Sequence, residues 1–347
     1  MSGEEIRDNN REILETLFRA LPSGVGSSRK DFRLGPRDLK RVLQEGVGWA
    51  LEQGYGTEED RAHIEADGRI PGADPSKVSD RALERGRGQL GTVGSGNHFV
   101  EVGFVQELFD REAAAAMGLE EGMATVLIHT GSRGLGHQVC SDFISLMIKA
   151  ARAHGIDLPD RQLCCAPVES GEGRSYLAAM AGAANFAFVN RQMITRWTRK
   201  AFSGLFDSAD ARLELIYDVC HNIAKLETHR VDGRPTRLCV HRKGATRAFP
   251  PGHREVPERY RRVGQPVLVP GDMGRCSYVL AGTQAGYEET FGSACHGAGR
   301  VMSRKQAKKA AGGRSITREL EEKGVLVKGA SRATLVEEIS DAYKDVN

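Results

Sequence analysis

The sequence lacks the features of a membrane-bound or secreted protein. No apolar run approaches the ~20 residues that a membrane-spanning helix needs. The opening residues, MSGEEIRDNNREI, contain neither the basic region nor the apolar region of a signal peptide. The 7 cysteines are odd in number and form no CxxC pair, which favours reduced thiols over a disulfide framework. These absences predict a cytoplasmic protein without a membrane partner.

Internal repeats, low-complexity tracts and recognisable linkers are missing as well. The 347 residues are 27% charged and 40% hydrophobic, the usual balance of a globular protein with a large core. Stretches with helical spacing alternate with short apolar runs that are typical of strands. The patterns predict a mixed α/β (α+β) fold over residues 1–347, a single large domain with a central sheet core edged by helices.

The net charge of +3 is too small to make the whole surface attract nucleic acid, but basic residues cluster in two places. Between Thr228 and Arg262 there are ten basic and three acidic residues. Between Arg300 and Arg314 there are six basic residues and no acidic one. Each cluster alone is typical of a solvated face. Because both adjoin glycine-rich segments that contain histidine, together they favour phosphate or RNA binding.

Periodicity predicts the order of the elements. Helices are expected at residues 6–21, 39–51, 77–86 and 174–206, the last of them an alanine-rich scaffold. A polar surface loop is expected at 54–74 and a short strand, VLVK, at 325–328. Buried strands are expected to end at three histidines: His129, His221 and His241.

Four histidines occupy similar places relative to these strands, since His98 follows a Gly-Ser-Gly-Asn turn that enters another one. If the strands lay in one sheet with their C-terminal ends together, the four rings would converge at its edge. A single histidine is more often structural, but four buried together favour a metal site, because packing alone does not require the desolvation of several titratable rings. The other residues that could bind a metal are predicted to have structural roles. We expect surface positions for His63, His154, His229 and His253. His137 is expected on a solvated helix, and Cys220 in the core.

The segment FGSACHGAGRVMSRK surrounds His296 with small residues. Gly297, Ala298 and Gly299 leave room for a large ligand to approach the ring. Arg300 and Arg304 follow at helical spacing, which would put both guanidinium groups on one face near the histidine. Such an arrangement suits a phosphate, although a turn that opens a solvated basic helix would have the same pattern.

Five segments in this order, GSGNHFVE, HTGSRGLGHQ, DVCHNIAK, HRKGATRAFPPGH and SACHGAGRVMSR, resemble the tRNA-splicing RNA ligases of the RtcB type. The resemblance runs from LPSGVGS at Leu21 to AYKDV at the end of the chain. It implies a metal-dependent enzyme that uses GTP to join an RNA 3′-phosphate or 2′,3′-cyclic phosphate to a 5′-hydroxyl, in tRNA splicing or RNA repair. The implied partners are RNA ends, GTP and an archease-like activator.

The resemblance also implies roles for individual residues. His296 would be the nucleophile that carries GMP, and His98, His129 and His221 would bind Mn²⁺. Nucleotide-binding roles fall on Asn97, Glu101, Asp272, His296, Gly297, Ala298, Gly299 and Tyr343. Roles in binding phosphate or RNA fall on Arg133, Lys243, Arg300 and Arg304. Asp272, in PGDMG, would lie near the guanine, and His241 is left without a role.

Two parts of the family pattern have no counterpart here: an Asp-x-x-Cys-Gly segment, which supplies ligands for a second metal ion, and a lysine-bearing tail. We expect the chain to be truncated at both ends, with a degenerate paralogue as the alternative interpretation. Two other functions stay open. One is an inactive RNA-binding remnant, and the other is a metal-dependent phosphoesterase that does not need His296.

Overall fold

The computed structural model describes residues 1–206 and 212–346, and it confirms the predicted mixed α/β fold. The α-helices are α1 (Gly3–Asp8), α2 (Asn10–Ala20), α3 (Pro36–Glu45), α4 (Val47–Glu52), α5 (Glu58–Ala62), α6 (Asp80–Gly86), α7 (Arg111–Met117), α8 (Arg133–Ala153), α9 (Gly171–Leu205), α10 (Gln284–Glu289), α11 (Arg304–Ala310), α12 (Ile316–Glu321) and α13 (Arg332–Leu335). The strands are β1 (Phe99–Phe104), β2 (Ala124–His129), β3 (His221–Val231), β4 (Arg234–Arg247), β5 (Pro266–Val269), β6 (Tyr278–Ala281) and β7 (Ser293–Cys295). Among the described helices, none combines the length and apolarity needed to cross a bilayer.

Within the described residues the strands form three antiparallel sheets, β1–β2, β3–β4–β7 and β5–β6. The histidine-bearing strands therefore do not lie in one sheet with their C-terminal ends together. Antiparallel pairing nevertheless brings two of the histidines together. Phe99 at the start of β1 lies opposite His129 at the end of β2, so His98 and His129 lie at the same end of this strand pair.

The hairpin of β3 and β4 turns at Asp232 and Gly233, whose φ angles of 50° and 76° suit a two-residue type I′ turn. This turn places β3 after His221 rather than before it, and His241 lies inside β4. The predicted strands ending at these two histidines are therefore wrong. The apolar run before His221 belongs to no strand, and among the described residues its pairing is limited to an isolated bridge between Asp218 and Ile64.

Helix α9 is the scaffold that its alanine-rich sequence predicts, and it packs against α2, α3, α4 and α8. Two of its buried asparagines hold loops. The Oδ1 of Asn190 accepts from the Gly91 N–H at 2.8 Å, and its Nδ2 donates to the Gly131 carbonyl at 3.0 Å. Asn190 thereby connects the loop before β1 to the loop after β2. Asn185 similarly accepts from the Ile70 N–H at 2.6 Å.

Residues 54–74 do not form the predicted surface loop, because they include α5 and bury His63 and Glu65. The Oε1 of Glu65 lies 2.8 Å from Lys225 Nζ and 3.1 Å from Arg247 Nε. The two cations come from β3 and β4, far away in sequence. A polar segment can thus be buried when its charge partners arrive from distant elements.

Two other local predictions need correction. The helix predicted at 39–51 is broken at Gly46, where φ is 57° and an added Cβ would collide with the Gly68 carbonyl oxygen. No strand forms at 325–328, where VLVK was expected to make one. Val325 and Val327 instead pack against the cluster of apolar residues that α11 and α12 contribute.

Candidate functional site

The structure brings four imidazoles together: those of His98, His129, His221 and His296. The ring centroids of His129 and His221 are 5.1 Å apart, and the ring of His98 lies 6.1 Å from that of His129. The ring of His296 is 4.8 Å from His221 and 6.1 Å from His129. Each ring belongs to a different segment of the chain, so the cluster exists only in the folded protein.

Glycines in the turn before β1 give His98 its place. Gly94 and Gly96 have φ angles of 108° and 71°, which favour glycine over other residues. A side chain at Gly94 would also collide with the guanidinium of Arg133 and the ring of His98. This close approach explains the glycine-rich sequence that precedes the histidine.

Burial keeps the four imidazoles neutral. It is the main cause that lowers the pKa of His98 to about 4 and that of His129 to about 3. Burial also lowers the pKa of His221 well below its ordinary value, and burial followed by repulsion from Lys243 lowers the pKa of His296. At neutral pH the rings therefore offer lone pairs, as ligands and nucleophiles must.

The cluster fits an imidazole-bound metal ion in two respects. The Nε2 atoms of His129 and His221 are 3.4 Å apart, and two nitrogens bound tetrahedrally to one ion at about 2.1 Å would be separated by about 3.4 Å. The Nδ1 atoms of His98 and His129 are buried without hydrogen-bond partners. In the described part of the chain, however, no three His, Cys, Asp or Glu side chains already converge on a single metal position. The fit therefore rests on the pair His129–His221, with His98 beside it.

His296 follows β7 and lies against two neighbouring segments. The backbone N–H of His296 donates to the Gly244 carbonyl at 3.4 Å, next to Lys243. The Ala298 N–H donates to the Pro270 carbonyl at 3.0 Å, so the small residues after His296 touch the PGDMG loop. The ring of His296 therefore lies beside His129 and His221, while the small residues that follow it lie against the PGDMG loop.

Of the residues expected to bind nucleotide, Glu101 and Asp272 line the same cleft as His296, which has a volume of about 2890 Å³. Burial raises the pKa of Glu101, which accepts a hydrogen bond from Ser277 Oγ at 3.3 Å. Asp272 has a fully buried carboxylate that accepts from Arg275 Nη1 at 2.6 Å. Sequence reasoning missed Ser277, because nothing in its neighbourhood distinguishes it from an ordinary loop serine.

Arg133 is a partly buried cation whose hydrogen-bond partners are all uncharged. Its Nε donates to Thr92 Oγ1 at 3.0 Å, and its Nη2 donates to Ser27 Oγ at 3.0 Å and to the Gly24 carbonyl at 3.3 Å. Burial without a carboxylate lowers the pKa of Arg133 to about 10. Such a guanidinium suits an anionic ligand.

The expected pair of arginines on one helical face is wrong, because residues 296–303 are not helical and α11 begins at Arg304. Arg300 turns away to the C-terminal segment, where Nη1 donates to Glu338 at 2.7 Å and to the Tyr343 hydroxyl at 2.9 Å. Tyr343 is therefore also engaged in a structural network. Arg304 is 60% exposed and its Nη2 approaches Gly96 beside the cluster.

The remaining histidines divide between core and surface. His63 and His229 are buried, so their predicted surface positions are wrong. His229 lies on the inner face of β3 with Nε2 2.9 Å from Glu227 Oε2, a contact that depends on strand register. His241 is exposed and lies 3.6 Å from Cys239 Sγ. The predicted core place of Cys220 is confirmed.

The lining of the cleft assembles most of the predicted site. It includes Asn97, His98, Glu101, His129, His221, Lys243, Asp272, His296, Gly297, Ala298, Gly299, Arg300 and Tyr343. Two exposed thiols, Cys276 and Cys295, also stand in its wall. Arg133 and Arg304 lie beside it, close to Gly94 and Gly96.

A family model described as tRNA-splicing ligase RtcB matches residues 1–347. A protein with that name from Archaeoglobus fulgidus is 54% identical over 346 residues, which cover 99% of this chain and 72% of that protein. The protein of that name from Thermococcus kodakarensis is 51% identical, over 100% of this chain and 72% of its own length. The one from Methanocaldococcus jannaschii is also 51% identical, but the chain spans only 36% of that longer protein.

Proposed function

Because the chain belongs to the tRNA-splicing ligase RtcB family, as its sequence predicted, we propose that it is a GTP- and Mn²⁺-dependent RNA ligase. It would join an RNA 3′-phosphate, or a 2′,3′-cyclic phosphate after opening, to a 5′-hydroxyl in tRNA splicing or RNA repair. The observation that carries the proposal is the neutral imidazole of His296, which lies between small residues and three further imidazoles in an open cleft.

The chemistry assigned to His296 follows from its protonation state. Its ring nitrogen attacks the α-phosphorus of GTP, an N–P bond forms, and pyrophosphate leaves with the electron pair of the broken P–O bond. An oxygen of the RNA 3′-phosphate then attacks the same phosphorus and frees the ring. The 5′-hydroxyl finally attacks the activated 3′-phosphate, loses its proton and displaces GMP. Lys243, Arg133 and Arg304 neutralise phosphate oxygens during these steps.

His98, His129 and His221 would hold the metal, and neutral imidazoles prefer a transition metal to Mg²⁺. A bound divalent ion would neutralise phosphate charge in the cleft. A second ion would require ligands beyond these three. Asn97, Glu101 and Asp272 would contact the nucleotide, and Asp272 would have to share its carboxylate with Arg275.

The exposed face of the β3–β4 hairpin is the proposed path of the RNA strand. Arg237, His241 and Lys243 are exposed along β4, and Lys243 lies at the end nearest His296. Residues two apart on one face of a strand are separated by about 6.6 Å, close to the repeat of an extended nucleic-acid backbone. Glu227, the acidic residue in the middle of β3, is turned inward and paired with Arg242. The cations on the outer face therefore remain available to phosphates.

The rest of the proposal concerns context. Residues 1–347 would act as one domain, with RNA and GTP as partners and an archease-like activator as a further one. The 7 cysteines form no disulfide, which supports a reducing compartment such as the cytoplasm.

Labelling with GMP tests the proposal. Incubation with Mn²⁺ and GTP labelled at its α-phosphate should attach GMP to His296, through a bond that is labile in acid and stable in base, as phosphoramidates are. His296→Ala should abolish the label, and His129→Ala should raise the Mn²⁺ concentration required. His241→Ala, which changes an exposed histidine outside the cleft, is the matched control and should label normally.

The alternatives give different results. Attachment of GMP to Lys243 would contradict the mechanism. Cleavage of RNA terminal phosphates that persists in His296→Ala, without any labelling of the unchanged protein, would favour the phosphoesterase. RNA binding that is sensitive to salt but indifferent to Mn²⁺ and GTP would favour the inactive remnant.

A further inference from the structure

Strand β7, which leads to His296, is short and is entered through a left-handed turn. Among the described residues it pairs only with 245–247 of β4. Phe291 and Gly292 just before it have φ angles of 53° and 59°. A phenylalanine adopts this conformation only where its surroundings stabilise it. The direction in which the chain reaches His296 therefore depends on what holds this turn.

Arg242 of β4 holds it. Its side chain is 1% exposed, and its Nη2 donates to the carbonyl oxygens of Phe291 at 2.8 Å and Gly292 at 3.3 Å. Its Nε donates to Ser293 Oγ at 3.0 Å. One guanidinium thus binds three consecutive residues on the approach to β7. The Gly292 carbonyl also accepts from the Ala248 N–H at 2.7 Å, and Arg242 adds the hydrogen bonds to Phe291 and Ser293 that stabilise the turn in the conformation observed.

Arg242 is in turn fixed by Glu227 on β3. Two hydrogen bonds of 2.6 and 2.8 Å join the guanidinium to the carboxylate, and His229 Nε2 lies 2.9 Å from the same carboxylate. Burial raises the pKa of Glu227, but the bonds and the attraction of Arg242 outweigh it, so the pKa is lowered and the carboxylate stays ionised. A two-bond pair of this kind fixes the plane of the guanidinium as well as its position.

We propose that the buried pair Glu227–Arg242 is a positioning device for His296, which acts through the turn at Phe291–Ser293. Arg242 does not line the cleft, whereas its neighbour Lys243 does. The inference rests on the proposed role of His296 as nucleophile. A displacement of about 1 Å in a reacting group lowers a rate by about a hundredfold, so a small relaxation of the turn has a large effect.

The test compares two buried arginines of β4. Arg242→Lys keeps a positive charge beside Glu227 but cannot reach Ser293 and both carbonyls. Arg247→Lys is the matched control, because the side chain of Arg247 is similarly buried but bonds to Gln265, Glu255 and Glu65 and makes no side-chain bond to the turn. We expect Arg242→Lys to speed amide hydrogen exchange at 291–296, and to slow GMP attachment at saturating GTP, by about tenfold or more with little change in KM. The control should change both by less than about threefold.

A rescue variant separates positioning from general damage. Asparagine tolerates the left-handed conformation better than phenylalanine, so Phe291→Asn added to Arg242→Lys should restore part of the protection and of the rate. If Arg242→Lys does not fold, Ser293→Ala removes one hydrogen bond of the same network and is the milder variant.

The outcomes separate this inference from the proposed function. Unchanged exchange at 291–296 in Arg242→Lys would overturn the inference whether or not the unchanged protein accepts GMP. Faster exchange together with an unchanged rate of GMP attachment would overturn the positioning role. If the unchanged protein takes no GMP, the proposed function fails, while the exchange measurement still decides whether Arg242 holds the turn.

Discussion

Glu65 shows how a single buried residue can make stability depend on pH. Burial by itself raises the pKa of Glu65, but attraction by Lys225 and Arg247 outweighs it and lowers the pKa from an ordinary value of 4.5 to about 2. The folded protein therefore binds fewer protons than the unfolded chain between these two values. The stabilisation is complete above 4.5 and is lost as the pH falls toward 2.

We expect the free energy of unfolding to fall by about 2 kcal/mol more in the unchanged protein than in Glu65→Gln between about pH 6 and about pH 3. Urea denaturation at the two pH values measures this difference. Glu59→Gln is the control, because that side chain is largely exposed. Equal pH dependence in the unchanged protein and Glu65→Gln would show that the carboxylate is not held ionised by its two cations.

Single residues also mark how far the sequence could predict the site. His98 and His296 were recognisable because glycines beside them remove side chains from the approach to each ring. The predicted place of Arg300 is wrong because helical spacing does not reveal that the chain turns before α11. Its partner Glu338 lies in a distant segment, and only the fold brings the two charges together.

At the scale of elements, α9 holds the loops that carry the imidazoles. Asn190→Ala removes hydrogen bonds to the loops before β1 and after β2, and should lower stability by about 2 to 3 kcal/mol. Asn185→Ala should lower stability by a similar amount, because Asn185 bonds to Leu43 and Ile70 instead.

The two variants should differ in the site. Mn²⁺ affinity measured by calorimetry should fall in Asn190→Ala and hold in Asn185→Ala, since Asn190, unlike Asn185, bonds to both of the loops that carry His98 and His129. Equal Mn²⁺ affinities in the two variants would mean that the imidazole cluster does not depend on the hydrogen bonds of Asn190.

The β3–β4 hairpin is the second element with a testable role. Reversing Arg230 and Arg237 to glutamate should weaken RNA binding and reduce its salt slope by about 0.7 for each phosphate that the protein no longer neutralises. Arg261 and Arg262 provide the comparison, because they also belong to the basic run but Arg262 lies 3.5 Å from Glu112. Binding should be measured by anisotropy over a range of salt concentrations. A larger effect from the second pair would move the RNA path away from the hairpin.

For the whole molecule, the sequence predicted which residue types the site contains better than how the strands are arranged. Apolar runs indicate extended segments, but a run carries no information about its partner strand, so the division into three antiparallel sheets cannot be read from them. The Asp-Gly turn at Asp232 is the local signal that would have placed β3 after His221. Burial of His229 and Glu65 depends on contacts between distant segments, which periodicity does not detect.

The chain should unfold as one unit if it is a single domain. Differential calorimetry should give one transition whose calorimetric and van't Hoff enthalpies agree, because α9 packs against elements from several parts of the chain. The apolar cluster formed by α11, α12 and the residues after them is the part most separate from α9. A second transition assigned to that cluster would mean that it is an independent unit.

The reactivity of the two thiols in the cleft wall can report whether a ligand occupies the cleft. Cys295 directly precedes His296, so its rate of alkylation by a small reagent reports how accessible that wall is at any moment. Cys140 is exposed on α8 away from the cleft, so its alkylation rate is an internal reference for the rate at Cys295. A ligand that covers His296 should therefore slow the alkylation of Cys295 relative to that of Cys140, which detects binding without a fluorophore or an engineered tag.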